Sequence, residues 1–147
     1  MKVHENPLPL YTIIIISNES WGDVWYSKHH YAWELSKNHE VYFINPVSKW
    51  NIKNLFSWQV ERRKITANLF VVNYKNNFPV NIFGLYFGGR CNDILNSIKL
   101  RILIGWNKNI LVWQFDPFRF RSICFKSTTH RIYHICDLYK AINNDRY

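Results

Sequence analysis

The sequence is poor in cysteine, and what it has is not arranged for bonding. Cys91, Cys124 and Cys136 form an odd set with no C-x-x-C spacing, which speaks against a disulfide framework or a zinc ribbon and fits a reducing compartment. With only 5 Gly and 5 Pro, a collagen-like or low-complexity chain is excluded. Long apolar runs are also missing. The longest purely aliphatic one is Ile13 to Ile16, far below the ~20 residues that span a bilayer, and the opening Met-Lys-Val-His-Glu-Asn-Pro has no apolar signal core behind its charge. Neither export nor insertion is expected, and the expected location is cytoplasmic, with peripheral attachment at the inner face of the membrane left open. Gly84, Gly88 and Gly89 do not form G-x-G-x-x-G after a strand, and no G-x-x-x-x-G-K-[ST] occurs, so the common glycine-rich phosphate loops are unsupported.

Acidic residues are scarce as well: 19 Lys and Arg stand against 10 Asp and Glu, a net charge of +9. Such a field favours anionic partners, whether nucleic acid, phosphorylated small molecules or acidic lipid. What is abundant is core material. In 147 residues, 48% are hydrophobic and 18% aromatic, enough for one folded domain with a single core.

Strand and helix patterns alternate along the chain. Leu10 to Ser17 is continuously apolar and β-branched, as a central strand buried on both faces would be. A loop, Asn18 to Trp25, leads to a predicted helix from Tyr26 to Asn38, with Val24, Tyr31, Ala32 and Leu35 on one face and Asn38 as its C-cap. Glu40 to Asn45 is a second strand, stopped by Pro46. Residues 47 to 61 lack a period and read as a loop with a short helix. A third strand lies within Ile65 to Asn73, most clearly Leu69 to Asn73, followed by a turn-rich link to Val80. From Gly88 to Trp106 the apolar Cys91, Ile94, Leu95, Ile98, Ile102 and Trp106 share one side, predicting a helix with Lys99 and Arg101 outside and a break at Asn107 to Asn109. Ile110 to Phe115 and Arg131 to Cys136 complete the strands, with a short helix or turn over Phe118 to Lys126. The pattern predicts an α/β fold, a Rossmann-like parallel sheet flanked by helices on both faces. Ligands of such sheets sit at the carboxyl ends of the strands.

Several charged residues fall at those ends. Asp23 lies just before the first helix, where a carboxylate can cap free amides or, alternatively, accept a substrate hydroxyl proton. Lys28, in the first turn, reads either as a snorkelling surface lysine or as a phosphate ligand. His29 and His30 are adjacent, about 100° apart on a helix, which rules against a paired metal site. Asp116, before Pro117, starts a turn and ends a strand, and Asp137 directly follows an apolar strand. The Arg62-Arg63-Lys64 run reads as a solvated charge cluster that could touch acidic lipid headgroups.

The segments Ile13 to Trp50 (IIIISNESWGDVWYSKHHYAWELSKNHEVYFINPVSKW), Phe70 to Val80 (FVVNYKNNFPV), Ile110 to Phe118 (ILVWQFDPF) and Arg131 to Tyr139 (RIYHICDLY) together resemble the N-terminal half of a bacterial GT-B glycosyltransferase of the teichuronic-acid and capsule type. The resemblance runs over nearly the whole chain, and rests on the order and spacing of these pieces. It implies one half of a two-domain architecture, the acceptor-side domain, with the nucleotide-sugar-binding half lying outside these residues, in cis or in trans. It further implies that Trp21, Gly22, Asp23, Lys28 and His29 line the acceptor side of a cleft, that Asp137 holds a strand-end acidic position, and that a metal or other cofactor is not required beyond the nucleotide-sugar substrate. From the residues themselves, Asp116 is a further substrate-binding candidate and Asp23 the candidate catalytic residue.

The expected function is therefore sugar transfer from a nucleotide-sugar to a polysaccharide or lipid-linked acceptor in cell-surface glycan synthesis, with the cytoplasmic membrane surface as a further partner. Two other readings compete. One is a noncatalytic subunit of a split transferase. The other is a basic nucleic-acid-binding module, which is disfavoured because the aromatics are spread through strands and helices instead of interleaving with Lys and Arg.

Overall fold

The computed structural model describes residues 11–81, 87–106, 109–121 and 129–135. Its centre is β1 (Thr12–Ile16), whose four consecutive isoleucines are buried on both faces. Burial of this kind stabilises by roughly 1.5–3 kcal/mol per side chain. To one side β1 pairs in parallel with β2 (Glu40–Ile44), which pairs in parallel with β4 (Leu69–Tyr74). To the other it pairs in parallel with β5 (Ile110–Gln114), and β5 with β6 (Thr129–Tyr133). A sixth strand, β3 (Val60–Lys64), closes the β4 edge in antiparallel register, with Val60 opposite Tyr74 and Lys64 opposite Phe70. The order is β3-β4-β2-β1-β5-β6. The sheet is thus mostly parallel, and the expected α/β class holds.

Helices α1 (Ser27–Leu35) and α2 (Phe87–Ile104) cover opposite faces. Ile13, Ile15, Val41, Phe43, Leu69 and Val71 meet Ala32 of α1, while Ile14, Ile16, Tyr42, Ile44, Val72 and Val112 meet Leu100 and Ile104 of α2. The period of two along each strand therefore divides one sheet between two cores. No helix among the described residues is long and apolar enough to cross a membrane.

Three expectations need correction. Residues 60–64 form the edge strand β3 where a loop was expected to run to residue 61, and on that strand Arg62, Arg63 and Lys64 are exposed, as a solvated charge cluster would be. Their polarity hid the strand, because edge strands commonly carry charge that discourages further pairing. Helix α1 caps at Ser36 instead of Asn38, and Val24 lies outside the helix, exposed. Most consequential is α2, which is turned relative to its apolar stripe. Ile94, Ile98 and Ile102 are 53, 39 and 55% exposed, whereas Asn92, Asn96, Lys99 and Arg101 are buried. The helix ends at Gly105, whose φ of +95° suits a left-handed cap, and its N–H donates to the Arg101 carbonyl at 2.9 Å.

Candidate functional site

The chain reverses direction across the sheet beside β1: α1 carries it to β2 and β4 on one side, and α2 returns it to β5 on the other. At such a reversal the carboxyl ends of the flanking strands splay apart and leave a crevice. The turn after β5 fills part of it. Asp116 Oδ1 accepts the Phe118 N–H at 2.9 Å, an Asx turn of the kind Asp-Pro favours. This aims Arg119 back across the strand ends. Its Nε donates to Asp116 Oδ2 at 2.6 Å, one terminal nitrogen to the Asn45 carbonyl at 3.0 Å and the Tyr74 hydroxyl at 2.7 Å, and the other to the Ser17 carbonyl. One guanidinium thereby joins the ends of β1, β2, β4 and β5. Burial works against its charge, but Tyr74 and Asp116 outweigh that and its pKa lies above the ordinary value. Burial in turn raises the pKa of the Tyr74 phenol.

The next residue, Phe120, is buried with φ +55°, a conformation that costs a bulky side chain energy and must be held by its surroundings. Asp93 of α2 holds it, accepting the Phe120 N–H at 2.9 Å and the Arg121 N–H at 3.0 Å on its two carboxylate oxygens. Between this turn, α2 and the end of β4 lies a cleft of about 430 Å³, lined by Tyr74, Asn76, Asn92, Asp93, Asn96, Asp116, Arg119 and Phe120 among others. The start of α2 closes one wall by a close backbone approach: a Cβ on Gly88 would stand 1.8 Å from the Pro79 carbonyl oxygen. Asn92 clamps Phe78 through both its N–H and its carbonyl, at 3.0 and 2.8 Å, and Asn96 Nδ2 donates to Asn76 Oδ1 at 2.9 Å. Among the described residues, Asn96 Oδ1 is buried without a partner. The wall thus offers amides, carboxylates with acceptor capacity remaining, and aromatic surface.

Comparison with models of known families, with curated proteins and with solved structures finds no match. The site must be read from its own geometry.

That geometry divides the residues singled out from sequence. Asp116 lines the cleft. Trp21, Lys28 and His29 gather on the other face of the sheet, around the first helical turn. The Trp21 ring packs 5.0 Å from Phe43 and 5.3 Å from His29, and the Trp21 backbone N–H donates to Asn45 Oδ1 at 2.8 Å. His29 is fully buried. Its Nδ1 accepts the Tyr26 N–H at 3.0 Å and its Nε2 lies 3.2 Å from the Ser20 carbonyl, so the ring is the neutral Nε2–H tautomer that caps α1. Desolvation lowers its pKa below 6.5, as does Lys28 beside it, and bonds to the Ser20 and Tyr26 backbone only partly offset this. Lys28 is not a snorkelling surface lysine: it is buried, ion-paired with Glu19 and bonded to Asn18 Oδ1 at 2.5 Å. Its charge is thus balanced within the protein. Gly22 and Asp23 are exposed, and Asp23 caps no helix, since the N-cap is Tyr26. Asp137 lies outside the described residues. Among these residues no group of three or more His, Cys, Asp or Glu stands together as a metal site would.

Sequence reading missed Arg119, Asp93 and the asparagines. Arg119 sits in what read as a short helix or turn, and only the convergence of four strand ends gives it partners. A usable signal was present in Asn92 and Asn96, two amides at i,i+4 spacing on a predicted helix.

Proposed function

We propose that this chain is the acceptor-side half of a glycosyltransferase, transferring sugar from a nucleotide-sugar to a polysaccharide or lipid-linked acceptor, with the donor-binding half outside these residues. The observation that carries the reading is the cleft at the carboxyl ends of the parallel strands, where side-chain amides and carboxylates stand beside aromatic rings. A sugar presents many hydroxyls, each needing donor and acceptor, together with C–H faces that bury well against rings, and this lining is matched to both. The strand order supports a Rossmann-like half of a GT-B architecture. With edge strand β3 set aside, the parallel strands run 3-2-1-4-5 in their chain order, as in doubly wound nucleotide-type sheets.

In this reading the acceptor hydroxyl lies in the cleft, held by Asn76, Asn96 and the carboxylate of Asp93. It attacks the anomeric carbon and gives its proton to the Asp93 carboxylate while the bond from that carbon to the nucleotide diphosphate breaks, and the leaving charge is taken up on the donor side. Arg119 and Asp116 keep the strand ends, and so the cleft wall, in place. Asp23 borders neither this cleft nor the smaller one at the β4 edge, so the acceptor contacts are assigned to Asp93 and the amides instead.

The test is an NMR titration of the chain with a panel of neutral mono- and oligosaccharides, reading the side-chain amides of Asn76, Asn92 and Asn96. Saturable shifts of these amides, lost in Asn96→Leu, are expected. Sugar transfer to an acceptor extract by the natural full-length polypeptide, lost in the same variant, completes it. Unshifted amides across the panel, together with transfer that Asn96→Leu leaves intact, would overturn the reading.

A further inference from the structure

We propose that the loop 49–58, with edge strand β3 beside it, is a docking surface for an anionic lipid bilayer. Phe56, Ile52 and Trp58 are 91, 72 and 54% exposed, and Trp50 is 37% exposed. Single exposed apolar residues are ordinary, but four within nine positions form a patch that needs an occupant.

The loop is held in this presentation from below. Asn77 Nδ2 reaches the carbonyls of Asn54, Leu55 and Ser57 at 3.3, 3.1 and 2.9 Å, and Trp50 Nε1 donates to the Asn77 carbonyl at 2.9 Å. Buried Lys99 donates to the Ser57 and Lys75 carbonyls and to Asn77 Oδ1 at 3.1, 3.3 and 2.6 Å. With its backbone carbonyls tied inward, the loop turns its apolar side chains out.

The occupant follows from charge. Lys49 and Lys53 interleave with the apolar residues, and exposed Arg62, Arg63 and Lys64 continue along β3 against the single acidic Glu61. A protein interface of this apolarity would be depleted of lysine at its centre. Nucleic acid would use stacking faces, which Ile52, the second most exposed of the four, does not have. A bilayer uses all of them: aliphatic and Phe side chains enter the acyl boundary, Trp settles at the headgroup level, and Lys and Arg meet acidic headgroups. The inference does not need the glycan reading. One extension does rest on it: β3 begins at Val60 opposite Tyr74, a cleft residue, so a docked bilayer would hold a lipid-linked acceptor at the cleft's own edge.

The test is flotation of the full chain with phosphatidylcholine vesicles, with and without about a third phosphatidylglycerol. Wild type is expected to float with the anionic vesicles and much less with the zwitterionic ones, and to be released by salt. Ile52→Ser with Phe56→Ser should lower partitioning about tenfold or more, and Arg63→Glu by a smaller factor, each with an unchanged melting curve because these side chains are exposed. Brominated lipid should quench Trp emission, and part of that quenching should vanish in Trp58→Phe. Failure of wild type to bind anionic vesicles, or equal binding by the double variant, overturns the proposal. So does binding of single-stranded oligonucleotide that the same substitutions abolish while vesicle binding is absent. None of these outcomes touches the saccharide titration, so the two readings fail separately.

Discussion

The two faces of the sheet are built on opposite principles. On the α1 face the packing is aromatic: Trp21, Trp25, His29 and Phe43 form one cluster, and Tyr31, Trp113, Phe115 and His134 another, with Tyr31 and Trp113 stacked at 4.9 Å. Its buried polar groups are few: Lys28 is balanced by Glu19 and His29 by Ser20 and Tyr26, close by in sequence, while Asn45 takes the Trp21 backbone N–H and donates to Asn73. On the α2 face an apolar layer near the sheet gives way, toward the carboxyl edge, to a layer of Asn76, Asn77, Asn92, Asn96 and Lys99. There the bonds join residues roughly 14 to 42 positions apart. The comparison teaches where a site can form. Aromatic packing fills space and leaves few directional groups at its margin, whereas a long-range polar layer leaves several, and the cleft opens at that margin.

The largest effect is expected where the polar system crosses the whole sheet. Arg119→Ala removes the donor shared by Asp116, Tyr74, Ser17 and Asn45, and leaves the partly buried Asp116 carboxylate beside an empty space. A loss of about 2–4 kcal/mol in urea unfolding is expected, because the pair is largely but not fully buried, with Arg119→Lys recovering only part, because an ammonium cannot reproduce the planar fork. Next comes Lys99→Met, which keeps the apolar stem but removes all three N–H donors from the loop carbonyls and Asn77. A cost of about 1–3 kcal/mol is expected, accompanied by faster amide exchange in residues 54–59.

The α1 face is probed by acid. His29 has its folded-state pKa lowered below 6.5, so between 6.5 and that lower value the unfolded chain takes up a proton that the folded chain refuses. Stability contributed by neutral His29 is present above pH 6.5 and declines as pH falls through this window, by at most about 1.4 kcal/mol per pH unit. Urea unfolding between pH 7.5 and 5 should show that decline, and His29→Gln should flatten it. The smallest effect is expected on the outer ridge of α2. Ile98→Ser should change stability by no more than about 0.5 kcal/mol, although the same position in an inward-facing apolar stripe would cost several times that. A loss of ~2 kcal/mol or more in a thermal melt would mean that the ridge is buried in solution and that the contrast between the faces is misdrawn.

The central strands were legible because the signal they carry is local. Ile13 to Ile16 can only be a strand buried on both sides, and the Glu40–Ile44, Leu69–Tyr74 and Ile110–Gln114 runs end where Pro, Lys or Asp interrupts them. The candidate site was legible only at Asp116, where a strand end and a turn signal coincide. Strand β3 escaped because exposed Glu61 to Lys64 leave no apolar face to detect. The facing of α2 escaped for a different reason. Its Ile94, Ile98 and Ile102 stripe obeys the helical period, but the period says only that these residues share a side, and not which side meets the sheet.

The sequence by itself determined the alternation of strands and helices, the central position of β1 and the excess of positive charge, because each depends on residues close together in the chain. The tertiary structure alone decided that α2 turns its asparagines and Lys99 inward, that Arg119 joins four strand ends, and that Ile52, Phe56 and Trp58 stand outward above a pinned loop. Those outcomes hang on buried carbonyls that must find donors. Which donor reaches them is settled only when distant segments meet.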